Sequence, residues 1–390
     1  MKNIFLLINF VITILCSAMG YTAEIDGTAV VLAKEKYSPQ VLEKFYQCHG
    51  NALIDMEEDR ATLTTLNYFG TSISVTLYQA VTELTEATLC NALSVIQDYH
   101  YLASNYATYP HVTNIKTINE SPTATHHIDA QLVDLIATSI EWHRKSQGYF
   151  NVALSPVIDL WREKRFKCLK SPDACELPSE QSLKNAAQYI DINNITLDKQ
   201  ANTVTLAAGM SIDLGGIAKG WMVEKLFDQL RRDGATRFVI NAGGNIRHYG
   251  QHPSGRDFIT AIEDPVCKQS EFTLEKCQTQ QGRYHEIISG QNLTVVSSGN
   301  YLRYFEVNGK QYHHIIDPNT LYPEKEGVAV TVILSSEHIY ADVISTMLFL
   351  MPIEQGLKYV NSQPWIEAVW YLNKEGDKIT SSDFNKYKLE

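Results

Sequence analysis

Residues 212–231 constrain the chain most. IDLGGIAKG runs directly into AKGWMVEKLFDQLR, an amphipathic segment in which Met222, Leu226 and Leu230 are spaced four apart on one face. Glycines just ahead of a helix N-terminus let the backbone approach an anion closely, and Lys219 adds a positive charge. The pattern is neither a P-loop, whose lysine needs a following Ser or Thr, nor a G-x-G-x-x-G fingerprint. A strand-to-helix turn with a solvated lysine fits the same spacing. Elsewhere, 71–77 (TSISVTL) alternates as a strand does, and 131–146 carries apolar residues at helical spacing. Residues 203–206, 238–241, 294–297 and 328–334 are short β-branched runs bounded by Gly, Asn or Ser. Helices and strands mixed without a regular βαβ period predict an α+β fold. With no repeat and no long linker, one compact unit is expected, with mixed sheets, flanking helices and surface insertions around 164–181 and 265–281.

The N-terminus reads as an export signal. Lys2 precedes a run, 4–15, that is apolar except for Asn9 and Thr13, and Ala18-Met19-Gly20 supplies the small residues of a cleavage site before Tyr21. An uncleaved anchor tethering the protein to the inner membrane is the rival, although the run is shorter than the roughly 18 to 20 residues that span a bilayer. Lipid attachment at Cys16 is disfavoured by Leu15 before it. A periplasmic protein is therefore expected. Six cysteines remain beyond Cys16, and their spacing makes Cys168–Cys175 and Cys267–Cys277 the simplest local disulfides, leaving Cys48 with Cys90. No C-x-x-C or clustered His supports the alternative of a zinc site. The net charge of −11 argues against nucleic acid, and a polyanionic small ligand would need a bound cation or aimed N–H groups.

Three further segments place polar or glycine residues where a plain core needs none. NAGGNIRHYG (241–250) follows an apolar strand and also fits a simple tight turn. HHIIDP (313–318) sets two histidines beside an aspartate, which suits general-base or metal chemistry as well as a surface turn capped by Asp317. In ADVIST (341–346), a helix would put Asp342 and Thr346 at i and i+4 on one face. Their oxygens suit Mg²⁺, and an N-cap aspartate is the alternative.

Together, and in this order, IDLGGIAKG, NAGGNIRHYG, SSGNYLRYF with HHIIDP, and ADVISTMLF resemble the FAD:protein FMN transferases of the ApbE family over about 66–384. Phe69-Gly70-Thr71 and GYFNVALSPVIDLW (148–161) agree with two further family segments. The chain is thus expected to divide into a signal peptide at 1–20, an N-terminal extension at 21–60 and, as the resemblance implies, an ApbE-like, T-fold-like flavin transferase domain at 61–390. It also implies an exported enzyme that cleaves FAD with Mg²⁺ and links FMN by a phosphoester to a threonine of a target protein, releasing AMP. By motif, Asp213 and Lys219 would contact FAD, and the Gly216 carbonyl would join Asp342 and Thr346 as magnesium ligands. Tyr106 would pack on the flavin, while Phe69, Asn151, Val152, Ala153 and Ile316 would line the FAD pocket. His314 would deprotonate the acceptor hydroxyl, whereas His313 should tolerate substitution. Asp342, as an exposed ligand carboxylate, should serve the site and not the packing.

The sequence departs from the family pattern at Phe69 for Met, Asn151 for Asp, Leu321 for a turn glycine, and Ser345 where some members carry another acidic ligand. Two rivals remain: a Mg²⁺-dependent pyrophosphatase giving FMN and AMP, and a non-catalytic flavin-binding protein. Asp26-Gly27-Thr28 is followed by Ala29-Val30-Val31, unlike an acceptor motif, so the acceptor should be a separate protein. Its threonine would lie in a flavinylation motif, with flavin-bearing subunits of membrane-associated respiratory complexes or exported reductases as the expected class.

Overall fold

The structure, a computed structural model, describes residues 48–389 apart from 271, 272, 324, 325 and 337. The signal peptide, Cys16 and the segment 26–31 lie outside the described residues. The chain divides into residues 1–53 and residues 54–390. Of the first unit, the structure describes the helical turn at 48–51 and the residues up to Leu53.

Nine strands pair in the same order as they occur in the chain: β1 (Leu53–Met56), β2 (Ala61–Thr65), β3 (Ile73–Leu77), β4 (Phe238–Ala242), β5 (Asn245–Tyr249), β6 (Thr294–Gly299), β7 (Gly327–Leu334), β8 (Ile366–Asn373) and β9 (Lys378–Thr380). Every pairing from β2 to β9 is antiparallel. The sheet is an open meander whose longer helices are inserted between β3 and β4 and between β7 and β8. β2 and β3 alternate buried and half-buried residues, whereas β7 (GVAVTVIL) is buried almost throughout. Its continuous apolar run reflects cover on both faces.

The first of these connections holds α1 (Glu83–Ala103), α2 (Ala130–Lys145), α3 (Ser155–Lys170) and α4 (Ala218–Arg232). The second holds α5 (Ala341–Leu350) and α6 (Ile353–Ser362). In α4, Met222, Leu226 and Leu230 are fully buried, and the helix packs on α1 and α5 while α5 packs on β6 and β7. The fourfold spacing read from the sequence is thus the buried stripe. An antiparallel ribbon of Phe258–Glu263 with Tyr284–Gly290 and a hairpin of Tyr304–Val307 with Lys310–His313 stand apart from the main sheet.

Cys168 is bonded to Cys175 and Cys267 to Cys277, the two local pairings expected. Cys48 and Cys90 are also disulfide-bonded. The first cysteine-bearing stretch begins inside α3, and Cys168 packs with Val157, Trp161 and Phe305. Cys267 and Cys277 are fully buried. None of the described helices is long and apolar enough to cross a membrane.

Candidate active site

The first turns of α4 and α5 meet, and glycine makes the meeting possible. A Cβ on Gly220 would stand 2.8 Å from the Asp342 Cβ and 3.3 Å from its backbone nitrogen. This proximity lets the Gly220 N–H donate to Asp342 Oδ2 at 3.2 Å, outside the helical ladder. The Lys219 ammonium lies 3.1 Å and 3.3 Å from the two oxygens of the same carboxylate. Gly220→Ala should therefore cost about 1–3 kcal/mol of stability through overpacking and weaken FAD binding. Thermal unfolding and FAD titration of the variant measure both.

Asp342 is only 4% exposed, so it is a buried carboxylate and not the exposed ligand expected from the sequence. Its position in the second residue of α5, packed under Gly220, explains the difference. Thr346 follows one turn later, and a Cβ on Gly216 would lie 3.6 Å from its Oγ1. Gly216 and Thr346 are thus neighbours, as the i, i+4 reading of ADVIST requires. Ser345, fully buried, accepts from Ser298 at 2.9 Å and donates to the Asp342 carbonyl at 3.0 Å. These contacts are structural.

A cavity of about 770 Å³ opens here, within the size range of cofactor sites. Tyr106, Asn151, Asp213, Gly216, Lys219, His314, Ile316, Asp342 and Thr346 all line it. Phe69, Val152 and Ala153 do not. Phe69 sits in a left-handed turn (φ 55°) with its N–H on His100 Nδ1 at 3.2 Å, and its ring edge faces the same histidine. Val152 and Ala153 are core residues, and the Val152 carbonyl accepts from the Asp213 N–H at 2.8 Å. They position the segment without facing the cavity.

Asp213 is held from two sides. Its Oδ1 accepts the Gly215 N–H at 2.7 Å, and its Oδ2 accepts Arg162 at 2.6 Å. Arg162 also pairs with Asp159 at 2.8 Å and lies 4.8 Å from the centre of the exposed Tyr106 ring. Sequence reasoning passed over Arg162, although its i, i+3 spacing from Asp159 on a helix was a usable signal. Asn151 donates to the Ile190 carbonyl at 3.0 Å and accepts the Ala153 N–H at 2.9 Å. The first bond needs an amide, since a carboxylate cannot donate it.

Two of the motifs form the simple turns that were the alternative readings of their spacing. Gly243 (φ 60°) and Gly244 (φ 90°) form the two-residue turn between β4 and β5, and a Cβ on Gly243 would collide with Thr71. Asp317 Oδ1 accepts the Asn319 N–H at 2.9 Å in a turn. In that turn Leu321 keeps the left-handed conformation (φ 65°) of the glycine it replaces. Its N–H bonds the Asp317 carbonyl at 2.8 Å, its carbonyl accepts Trp161 Nε1 at 2.9 Å, and its side chain packs on the Trp161 cluster. These contacts offset the roughly 1–2 kcal/mol of left-handed strain.

Both histidines of HHIIDP line the cavity. His313 is 5% exposed, its Nδ1 accepts the Ile315 N–H at 3.3 Å, and its ring meets Phe349 edge-on. It is a packed residue, so the expected tolerance to substitution gives way to a stability cost. His314 is half-buried, and its Nδ1 finds no hydrogen-bond partner among the described residues. Burial, reinforced by Arg303, His313, Arg165 and Lys219, pushes its pKa down to about 3. The free imidazole is therefore neutral, well below the ordinary value near 6.5 assumed for a general base.

His248, pushed by burial to about 4, and His338, pushed to about 3, are likewise held neutral. A depressed histidine pKa means that the unfolded chain binds more protons below pH 6.5, so stability falls as pH falls. Each of the three should cost about 1.4 kcal/mol between pH 7.5 and 5.5, with Glu224, raised by burial, opposing at the acid end. Denaturant melts at the two pH values check the sign.

Among the described residues no three His, Cys, Asp or Glu stand together as a metal cluster. A cation here would depend on one carboxylate with neutral oxygens beside it. Asp342, Thr346 and Gly216 line the cavity together, and hard oxygen donors of this kind fit Mg²⁺.

Fold and cavity define an α+β protein with a large cavity of mixed polar and apolar lining where two helix N-termini meet. The chain belongs to the ApbE family, whose profile matches residues 69–370. It is 27% identical over 284 residues to the FAD:protein FMN transferase of Haemophilus influenzae, covering 72% of this chain and 77% of that protein. To the FAD:protein FMN transferase of Klebsiella pneumoniae (strain 342) it is 32% identical over 234 residues, covering 60% of this chain and 66% of that protein. Its fold is similar to that of the ApbE protein of Thermotoga maritima, with TM-score 0.70, 23% identity and coverage of 87% and 99%. The flavin transferase ApbE from Vibrio cholerae gives TM-score 0.67, 22% identity and coverage of 86% and 100%.

Proposed function

We propose that the protein is an exported, Mg²⁺-dependent FAD:protein FMN transferase. It would cleave FAD, link FMN through a phosphoester to a threonine of a separate acceptor protein and release AMP. One observation carries the reading: Asp342, Thr346, Gly216, Lys219 and His314 line one cavity of about 770 Å³ in a chain of this family. Disulfides at Cys168–Cys175 and Cys267–Cys277 support export to an oxidising compartment such as the periplasm.

Asp342, Thr346 and the Gly216 carbonyl would hold the metal. Bound there, Mg²⁺ supplies Lewis-acid polarisation of a phosphoryl oxygen. Lys219 balances the buried carboxylate and offers a positive charge to diphosphate. Asp213, fixed by Arg162 and the Gly215 N–H, would bind hydroxyl or amino groups of the nucleotide, with Tyr106 as an exposed aromatic face. His314 accepts the threonine proton as the new phosphorus–oxygen bond forms and the bond to AMP breaks. Its low pKa arises from burial and a ring of cations, so anionic FAD in the same cavity raises it toward the working range.

Incubating the protein with FAD, Mg²⁺ and a candidate acceptor tests the reading. Transfer gives free AMP with the flavin protein-bound, and a chelator stops it. Equal amounts of free FMN and AMP with an unlabelled acceptor would instead identify a pyrophosphatase.

A further inference from the structure

We propose that Arg165 and Arg303 form a docking point for an acidic stretch of the acceptor polypeptide beside His314, an inference that rests on the transferase reading. The other cations lining the cavity each face a carboxylate: Lys219 faces Asp342, Lys268 faces Glu263, and Arg162 faces Asp159 and Asp213. Arg165 and Arg303 line the same cavity, and neither has a carboxylate partner among the described residues. Arg303 donates only to the Gly70 carbonyl, at 3.0 Å, and Arg165 faces the Phe166 ring at 5.6 Å. Burial pushes the Arg165 pKa down, and the positive charge of Arg303 adds to that push. Two uncompensated positive charges at one spot, in a chain of net charge −11, call for an anionic partner.

The surroundings favour a polypeptide as that partner. Arg303 is exposed, next to Leu302 at 60% exposure, and Arg165 adjoins Phe166 at 47%. Exposed apolar side chains interleaved with arginines are the composition of a protein-docking patch. The patch also adjoins the imidazole that receives the acceptor proton, as His314 feels both arginines. A carboxylate near the acceptor threonine could pair with the guanidiniums and set the hydroxyl toward His314.

Labelled peptides with one threonine flanked by aspartates, and the same peptides with asparagine or lysine in the aspartate positions, provide the probe. They are titrated by fluorescence anisotropy against the full mature protein, with FAD and a chelator present. The acidic peptide should bind at least about tenfold more tightly than the asparagine peptide, the lysine peptide weakest, and the gap should shrink with salt. Arg165→Gln with Arg303→Gln should abolish the gap. Arg165→Glu with Arg303→Glu should reverse the preference toward the lysine peptide. Equal binding of acidic and asparagine peptides by the parent protein overturns the proposal. So does a double Gln variant that loses FAD affinity but keeps the peptide gap, since the cations would then serve the flavin phosphates. The titration needs no turnover, so a failure of FMN transfer would count against the transferase reading separately.

Discussion

Asp342→Asn should lower metal-dependent FAD turnover by at least about 100-fold, the loss already typical of residues that only orient a ligand. Asparagine keeps the volume and one acceptor oxygen, so the close contact with Gly220 survives. Asp342→Ala should lose as much turnover and destabilise the protein as well. It leaves the Lys219 ammonium, only about a quarter exposed, without its partner, and removes the acceptor of the Gly220 N–H. Thr346→Ala should be milder, because water can replace a neutral hydroxyl ligand, and added Mg²⁺ should recover part of its activity. Steady-state turnover across a Mg²⁺ titration, paired with thermal melts, separates these effects. Parental turnover by Asp342→Asn at low Mg²⁺ would remove Asp342 from the metal site.

His314→Asn should keep FAD binding near the parental level while losing transfer by roughly 10² to 10⁴, the span of a general base. The side chain has an unpartnered Nδ1 and a depressed pKa, so removing it leaves no broken hydrogen bond at that atom and relieves a half-buried, cation-flanked ring. The variant should thus be at least as stable as the parent. Below the imidazole pKa the proton acceptor is lost, so transfer should fall as pH falls, with a midpoint in the FAD complex above the free protein's value of about 3. Transfer at the parental rate by a folded His314→Asn protein would leave metal and positioning as the whole mechanism.

The parts of the site that were readable from sequence are those written in local chemistry. IDLGGIAKG and ADVIST each announce a helix start with small or oxygen-bearing residues, and both lie on the helices expected. The Gly243-Gly244 turn and the two local disulfides are of the same kind, fixed by neighbours in the chain. What stayed hidden depends on distant contacts. Arg162 meets Asp213 across 51 positions, and Lys219 meets Asp342 across 123. No periodicity encodes either pair. The burial of Asp342 follows from a glycine on another helix, and the neutral state of His314 from its burial, reinforced by cations contributed by three separate segments. Motif matching likewise placed Val152 and Ala153 at the pocket, whereas their side chains face the core and only Asn151 reaches the cavity. The open, chain-ordered meander was also out of reach, because strands 160 residues apart in sequence become neighbours at β3 and β4.

Intact-mass measurement of an acceptor protein, after incubation with this protein, FAD and Mg²⁺, tests the central claim most directly. The predicted result is a single mass increase equal to one FMN joined with loss of water, located on a threonine and absent when a chelator or His314→Asn replaces the complete system. An acceptor of unchanged mass, alongside FAD fully converted to free FMN and AMP, would contradict it.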